Sequence, residues 1–259
     1  MRSNADNARP KVIVAEWQLD RHADRTDLHL AEAELHIWLA HVPAFRGKEH
    51  ALREALTQEE VERMERFYFA ADRERFAVAH ALVRALCGRY EDMPVERVQI
   101  AADHRGKPEL RTERSAGKLA FNLSHSGELV AAVFARGRSV GIDVEWIRDI
   151  PEWPQLAQQF HPVEQKLLHA AAAGKQQQMF FDCWARKEAF VKATGEGLSR
   201  PLDSFWIAED GEQGIFRVNG EGAARNTWTI LDFSAAAGYS AAIAFDQGEQ
   251  QIHPVFLRV

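Results

Sequence analysis

Cysteine is scarce in this chain: only two of the 259 residues, Cys87 and Cys183, are cysteines. Two cysteines cannot build the disulfide framework that stabilises small secreted domains. Each lies within an apolar helical pattern, so we expect both to be free, buried thiols in a reducing compartment. Long apolar runs are also lacking, since no stretch approaches the roughly 18–20 residues that span a bilayer. The first ten residues contain no apolar core of a secretory signal, so the sequence predicts a cytoplasmic protein without a membrane partner.

The chain also lacks an excess of positive charge. Its formal net charge is −6 at pH 7, and 27% of its residues are charged while 46% are hydrophobic. Such a surface offers no general attraction for nucleic acid, so local clusters of Lys and Arg must meet any anionic ligand. The length is sufficient for one large domain or two modest ones with a substantial core.

Several common motifs of nucleotide, zinc and acyl-transfer sites are absent as well. Neither G-x-x-x-x-G-K-[ST] nor G-x-G-x-x-G occurs, so the usual glycine-rich phosphate loops are excluded. The eleven histidines include no H-E-x-x-H, which makes a zinc site of that type improbable. No G-x-S-x-G elbow supplies a serine nucleophile.

The order of strand-like and helical segments occurs twice along the chain, with an offset of about 107 residues. A strand-like segment at residues 34–42 precedes a helical pattern at 59–88. A second strand-like segment at 141–147 precedes a second helical pattern at 163–195. Identity between the halves is slight, so chance alignment is the alternative, but the matching order and spacing of unlike elements favour two similar α+β halves.

Gly88 and Gly195 close the two helical patterns, at the position that a glycine takes after a helix C-terminus. Each half then ends in further strand-like segments. The sequence therefore predicts an α+β fold with two similar halves in a pseudo-twofold arrangement and the active site between them. The predicted parts are a flexible leader (residues 1–30), an N-terminal half (31–140) and a C-terminal half (141–259).

Two carboxylates share one face of the strand that opens the second half. Side chains alternate along a strand, so Asp143 and Glu145 point the same way while Ile142 and Val144 point the other way. Adjacent carboxylates repel each other unless a cation lies between them, and a hard divalent ion such as Mg²⁺ prefers oxygen ligands. The alternative is that this D-x-E sequence is the ordinary polar face of a half-exposed strand.

Glu188 and Lys192 form a second candidate pair, on the helical pattern of the second half. Glu188 lies on an otherwise apolar stripe, where a carboxylate is costly to bury without a partner. The two residues also have the i,i+4 spacing of a routine helix ion pair. The spacing alone leaves both interpretations open.

Ser124 and His125 lie where one predicted strand turns into the next, and their donors are suited to a phosphate. A Ser–His dyad for acyl transfer is a rival interpretation. Adjacent residues on an extended chain point to opposite faces, which places His125 poorly for activating Ser124. A turn histidine without a function is the third alternative.

Three blocks of the sequence resemble the signature motifs of 4′-phosphopantetheinyl transferases, in order and at suitable separations. They are F-N-L-S-H-S-G at residues 121–127, G-I-D-V-E at 141–145 and W-A-R-K-E-A-F-V-K at 184–192. The closest class is the long, pseudo-dimeric type that primes surfactin synthetase and similar enzymes. Weaker matches occur at R-F-Y (66–68) and G-K-P (106–108), and the resemblance runs from about residue 59 to 245.

This resemblance implies transfer of phosphopantetheine from coenzyme A to a serine of an apo acyl or peptidyl carrier protein, with Mg²⁺ as the cofactor. It implies that Asp143, Glu145 and Glu188 hold the metal, and that Glu188, Lys192 and His125 take part in catalysis. At one position the chain departs from the family pattern: Glu60 stands where the family has a cationic residue. The residues that the resemblance assigns to coenzyme A are Arg63, Arg75, Lys107, Pro108, Ser124, His125, Lys187 and Lys192, with Arg75 near the 3′-phosphate.

The segment at residues 147–169 is predicted to receive the carrier protein. It leaves Glu145 directly and carries Trp153 and Phe160, apolar anchors of the kind found in interface hot spots. The alternative is that these side chains fill the core between the halves. We expect a monomer, and a non-catalytic carrier-binding or nucleotide-binding module of the same fold remains the alternative function. Such a module would be expected to lose an acid at 143, 145 or 188, and none is lost.

Overall fold

A computed structural model describes residues 11–17, 28–112, 117–211, 214–220, 228–247 and 255–258. The helices are α1 (Glu49–Glu54), α2 (Gln58–Glu65), α3 (Ala70–Tyr90), α4 (Trp153–Leu156), α5 (Pro162–Ala170) and α6 (Gln176–Thr194). The strands are β1 (Lys11–Glu16), β2 (Glu34–His41), β3 (Ile100–Ala102), β4 (Pro108–Leu110), β5 (Leu119–Ser126), β6 (Leu129–Arg136), β7 (Val140–Trp146), β8 (Phe205–Glu209), β9 (Ile215–Gly220), β10 (Trp228–Asp232), β11 (Tyr239–Asp246) and β12 (Val255–Arg258). No helix in these ranges is long and apolar enough to cross a membrane.

The strands form two five-stranded sheets, which confirms the α+β class. The first sheet has the order β12-β1-β2-β6-β5, and the second has the order β7-β11-β10-β9-β8. β1 pairs in parallel with β2 and β12, whereas the other neighbours are antiparallel. A separate two-stranded ribbon is formed by β3 and β4.

The two sheets pack face to face, and a long helix covers the outer face of each. The facing sides of β1, β2, β6, β7, β10 and β11 share one apolar core. α3 packs on the other face of the first sheet, and α6 packs on the other face of the second. β6 is therefore covered on both sides, which explains why its run L-V-A-A-V-F-A is apolar without alternation and buried throughout.

The repeated element order is visible in the structure. β2 and α3 are followed by β3 to β6, and β7 and α6 are followed by β8 to β11. The partial order β2-β6-β5 in the first sheet matches β7-β11-β10 in the second. These matching strands correspond to the strand-like segments from which the sequence analysis predicted two similar halves.

The structure corrects the two ends of the predicted division. The leader predicted at residues 1–30 contains β1, whose Val12 and Val14 side chains are buried. The C-terminal half predicted at 141–259 contributes β12 to the first sheet. A strand pairs wherever its backbone groups find hydrogen-bond partners. The two sheets are therefore not separated by one boundary in the sequence, because β12 from the predicted C-terminal half joins the first sheet.

Each of the two predicted helical patterns forms two helices in the structure instead of one. The pattern at 59–88 is divided between α2 and α3, and the pattern at 163–195 between α5 and α6. Gly195 ends α6 in the left-handed conformation with φ 71°, as a helix-terminating glycine does. Gly88 instead lies inside α3, where a Cβ would come within 2.8 Å of the Met93 carbonyl oxygen.

Gly141 brings α6 unusually close to β7. A Cβ at this position would lie 2.1 Å from the Ala189 carbonyl oxygen and 2.4 Å from the Ala193 backbone nitrogen. Both atoms belong to the helix backbone, so neither can move aside by a change of rotamer. The glycine of G-I-D-V-E therefore sets the distance between the acidic strand and the helix of Glu188.

We expect Gly141→Ala to displace α6 from β7. Overpacking of a well-packed core costs about 1–3 kcal/mol and occasionally more, and contact with backbone atoms places this change at the upper end. The free energy of unfolding, measured by urea denaturation, should fall by about 3 kcal/mol. A variant as stable as the parent protein would contradict the close approach.

Candidate active site

The edge strands of the two sheets meet side by side, joined by side chains of β5. Every second side chain of β5 from Asn122 to Ser126 accepts a hydrogen bond from a backbone N–H of β7, at distances between 3.0 and 3.3 Å. The pairs are Ile142 N–H to Asn122 Oδ1, Val144 N–H to Ser124 Oγ and Trp146 N–H to Ser126 Oγ. This seam holds the acidic face of β7 against the Ser-His segment.

The carboxylates of β7 point toward this seam. Ser124 Oγ donates to Asp143 Oδ1 at 2.8 Å, and Ser126 Oγ donates to Glu145 Oε2 at 2.9 Å. Asp143 is only 3% exposed. The interpretation of D-x-E as an ordinary half-exposed polar face is therefore wrong for Asp143.

Lys192 reaches across from α6 to the same carboxylate. Its Nζ lies 2.6 Å from Asp143 Oδ1 and 3.1 Å from Ser124 Oγ. The routine i,i+4 partner would be Glu188, but the ammonium pairs with the buried strand residue instead. Glu188 is half-buried, and its pKa is raised by desolvation and by Asp143, against the opposing charge of Lys192.

The acidic residues share a partly dehydrated space, which raises the pKa of each of them. Desolvation raises the pKa of Asp143 even though Lys192 opposes the shift. Desolvation and the neighbouring Asp143 raise the pKa of Glu145 to about 7. Asp143 Oδ2 is buried without a hydrogen-bond partner. A buried acceptor of this kind is costly, and a cation would satisfy it.

This donor set fits Mg²⁺ without forming a complete cage for it. Within the described ranges no three or more His, Cys, Asp or Glu side chains are arranged to hold a metal ion by themselves. Mg²⁺, however, is commonly bound by one or two carboxylates, with waters and substrate phosphates completing its shell. The unpartnered Asp143 oxygen and the raised carboxyl pKa values are consistent with such a site.

Ser124 and His125 do not form a catalytic dyad. The Ser124 hydroxyl donates to Asp143 and accepts from Lys192, so its proton is not directed to an imidazole. Both residues belong to the end of β5, and the turn begins only at Gly127. Desolvation and the charges of Arg75 and Lys192 lower the pKa of His125, which favours the neutral form of its ring.

Arg75 marks the other end of the site, at the turn after β5. Its Nη1 donates to the Gly127 carbonyl oxygen at 3.0 Å, and its other terminal nitrogen pairs with Asp72. Arg63 is exposed, with its guanidinium carbon 5.5 Å from the centroid of the Phe76 ring. These two predicted cations thus lie on neighbouring parts of the N-terminal helices.

Glu60, which departs from the family pattern, has a structural role here. It completes a capping box with Thr57 at the start of α2, and its Oε1 lies 2.8 Å from His80 Nδ1. Burial alone would raise the pKa of Glu60, but hydrogen bonds from His80 and the Thr57 backbone lower it below its ordinary value. Arg84, whose Nε lies 3.6 Å from Glu60 Oε2, and the helix N-terminus stabilise its negative charge.

Lys107 and Pro108 line a pocket of about 270 Å³ together with Lys192 and the end of α6. The Lys107 ammonium donates to the carbonyl oxygens of Val140 and Ala193, at 3.0 and 2.9 Å. It therefore ties the β3–β4 ribbon to β7 and α6, and one N–H remains for a ligand. A larger pocket, of about 420 Å³ between α1, α2 and α3, contains none of the predicted site residues.

Lys187 does not belong to the site, which corrects the prediction that it contacts coenzyme A. Its side chain is completely buried, and its ammonium lies 2.7 Å from Glu164 Oε2. It also donates to the carbonyl oxygens of Leu202 and Phe205. Three partners use all three donors of an ammonium group, so none is available for a phosphate.

The docking segment at 147–169 is only partly accessible. Phe160 is completely buried and stacks on Phe180, so its predicted role as an interface anchor is wrong. Trp153 is half-buried against the same cluster. Val163 and Leu167 of α5 are the segment's exposed large apolar side chains in the described chain.

Two residues that contribute to the site or its support were not identified as such from the sequence. Asn122 supports the seam, and Glu164 is the partner of Lys187. The period-two spacing of Asn122, Ser124 and Ser126 was a usable signal, because such residues share one face of a strand. No comparable signal pointed to Glu164.

Comparisons with known proteins show which family this chain resembles. Residues 139–244 match the family described as the 4′-phosphopantetheinyl transferase superfamily, and residues 44–136 match the family described as 4′-phosphopantetheinyl transferase, N-terminal. The chain is 33% identical to the 4′-phosphopantetheinyl transferase HetI of Nostoc sp. strain PCC 7120, over 70% of this chain and 77% of that protein. It is 31% identical to a 4′-phosphopantetheinyl transferase of Bacillus subtilis, over 67% and 76%, and 32% identical to 4′-phosphopantetheinyl transferase Sfp of Bacillus subtilis strain 168, over 62% and 70%.

The raised pKa of Glu145 predicts a pH dependence of stability in the metal-free protein. The folded state holds this proton up to about pH 7, whereas the ordinary value is 4.5. The contribution of Glu145 to the free energy of unfolding is therefore complete below pH 4.5 and is lost as the pH rises to 7. Glu145→Gln should remove that loss, measured by urea unfolding in EDTA from pH 4.5 to 8. The exposed Glu96→Gln should follow the parent curve, and parallel curves for all three proteins would contradict the prediction.

Proposed function

Because the chain belongs to the 4′-phosphopantetheinyl transferase superfamily, we propose that it transfers the 4′-phosphopantetheine group of coenzyme A to a serine of an apo carrier protein, releasing 3′,5′-ADP. The observation that carries the proposal is the convergence of Asp143, Glu145, Glu188 and Lys192 at the seam between the sheets. Two separate blocks of the sequence, G-I-D-V-E at 141–145 and W-A-R-K-E-A-F-V-K at 184–192, supply these residues, and packing of an ordinary core does not require them to be close together.

The reaction is a displacement at phosphorus. The carrier serine oxygen forms a bond to the β-phosphorus, which carries pantetheine, and the bond from that phosphorus to the oxygen bridging the two phosphates breaks. The serine proton must be removed, and negative charge on the departing 3′,5′-ADP must be stabilised. Such reactions depend mainly on positioning and on electrostatic stabilisation.

Asp143, Glu145 and Glu188 would hold Mg²⁺ at the seam. The bound ion would supply neutralisation of charge on the phosphoryl oxygens. The unpartnered Asp143 Oδ2 provides one oxygen that needs no rearrangement of existing hydrogen bonds. Asp143 Oδ1 is already held by Ser124 and Lys192, which fixes the orientation of the carboxylate.

Glu188 is the residue we propose as the base for the serine proton. Desolvation raises its pKa, and a base works best when its pKa approaches the operating pH. Lys192 lies one helical turn further along α6 and holds its ammonium beside Asp143. From there the ammonium binds a phosphate oxygen and stabilises the leaving group.

The remaining cations are proposed to bind the two ends of coenzyme A. His125 lies at the end of β5 and Arg75 of α3 contacts the turn that follows it, where Arg75 would meet the 3′-phosphate and Arg63 would add charge nearby. Lys107 and Pro108 line the pocket next to Lys192, which suits the nucleotide. The carrier protein approaches from the side of Trp146, an exposed residue that directly follows Glu145.

The direct test is to incubate the protein with coenzyme A, Mg²⁺ and a panel of apo carrier proteins, and to follow the carrier mass. Glu188→Gln should lower the rate by about three orders of magnitude, since metal and charge stabilisation together contribute about 4 kcal/mol. Glu96→Gln, an exposed change of the same kind, should leave the rate unaltered. No mass change with any carrier, or near-full activity of Glu188→Gln, would refute the proposal. Binding of coenzyme A without transfer would favour the non-catalytic module.

Trp146, which directly precedes the predicted docking segment, and Phe160, which lies inside it, give a contrast between two aromatic residues. Trp146→Ala should raise KM for the carrier by about tenfold, the loss of a modest hot spot, and should destabilise the protein much less than Phe160→Ala because Trp146 is 46% exposed. Phe160→Ala should instead lower the free energy of unfolding by about 3–5 kcal/mol, as for other buried aromatic residues. A Trp146→Ala variant with normal carrier KM would place the carrier elsewhere.

A further inference from the structure

A buried ion pair lies behind the site, on the side of α6 that faces α5. Lys187 Nζ is 2.7 Å from Glu164 Oε2, and the two side chains are 0% and 4% exposed. The carbonyl oxygens of Leu202 and Phe205 accept the other ammonium hydrogens at 2.8 and 2.7 Å. Glu164 Oε1 accepts from the Ile207 backbone N–H at 2.9 Å. The pair thus connects α5, α6 and the start of β8.

The surroundings make this connection rigid. The ammonium lies 4.0 Å from the centroid of the Phe205 ring and 5.6 Å from that of Phe160, so water has little access. Glu164 also accepts from the His161 backbone N–H at the start of α5. A buried pair of this kind resists separation, because removal of one partner leaves an uncompensated charge in an apolar setting.

The pair fixes α6 from the side opposite to Gly141. Lys187 and Glu188 are consecutive on a helix, so their side chains leave its axis about 100° apart. A rotation that loosened Lys187 from Glu164 would swing Glu188 and Lys192 along the seam. Gly141 allows close contact of the helix with β7 on one side, and the ion pair determines the rotation of the helix from the other.

We infer that Lys187 and Glu164 are positioning residues, which set the direction of Glu188 and Lys192 without touching any ligand. The inference rests on the proposed function of that site. Lys187 lies inside the W-A-R-K-E-A-F-V-K block beside a proposed base, where its sequence position alone suggests ligand contact. Its complete burial and three protein partners assign it to the support of the site instead.

The test compares Lys187→Met, Glu164→Gln and the double variant with Lys175→Met, a control at an exposed lysine near the start of α6. Kinetics are measured well below each melting temperature, so that all proteins are folded. Each single change should lower kcat by between about tenfold and a hundredfold, since misplacement of about 1 Å has effects of this size. KM for coenzyme A should stay within about twofold, because no ligand contact is lost.

The double variant should have about the same kcat as the less active of the two single variants. The reason is that the effects of substitutions at two residues that act as a unit are not additive. Glu164→Gln keeps an oxygen for the Ile207 N–H, so it carries the test if Lys187→Met does not fold. A raised KM for coenzyme A in Lys187→Met, with normal Glu164→Gln, would overturn the inference in favour of direct contact. Unchanged kcat in folded variants would show that the pair serves stability alone.

Amide hydrogen exchange over residues 184–194 supplies a readout that does not depend on turnover. Exchange should be faster in Lys187→Met and Glu164→Gln than in the parent, and unchanged in Lys175→Met. A parent protein that modifies no carrier would refute the proposed function while leaving this structural effect measurable. Equal exchange in all proteins would overturn the positioning role itself.

Discussion

The site depends on a seam between two sheet edges that share no backbone ladder. Edge strands carry unpaired N–H groups that must find partners, and β5 satisfies those of β7 with side-chain oxygens at every second residue. The same serine hydroxyls then donate to Asp143 and Glu145. One set of hydrogen bonds therefore joins the two halves and orients both carboxylates. Loss of these hydrogen bonds would therefore disrupt both the contact between the sheets and the orientation of the two carboxylates.

The position of α6 is the second constraint, and it is defined from two directions. The absence of a side chain at Gly141 lets the helix backbone reach β7, while the Lys187–Glu164 pair holds the opposite face. Such packing from both sides suits a helix that bears charged groups, since interior packing leaves little freedom for rotation. Lys192 can then meet Asp143 at a fixed distance in a poorly hydrated space, where electrostatic interactions are strong.

Sequence reasoning succeeded where the physical cause is local. Strand alternation placed Asp143 and Glu145 on one face, and the repeated element order indicated an α+β fold. It failed where the cause is tertiary: Lys192 has a local candidate partner in Glu188, yet it pairs with a residue 49 positions away. Phe160 was predicted to be an interface anchor and Lys187 a ligand contact because of the residues next to them in the sequence. In the structure, packing of α5, α6 and β8 buries both side chains.

The parallel pairing of β1 with β2 and β12 has a consequence for how the chain folds. β1 lies inside the first sheet only when a strand from the far end of the chain has joined it. Contacts of such large sequence separation form slowly, because the entropy of a long loop must be overcome first. During synthesis the first sheet would therefore stay incomplete until residues 255–258 have left the ribosome. In that interval β1 is an exposed edge, open to pairing with another chain.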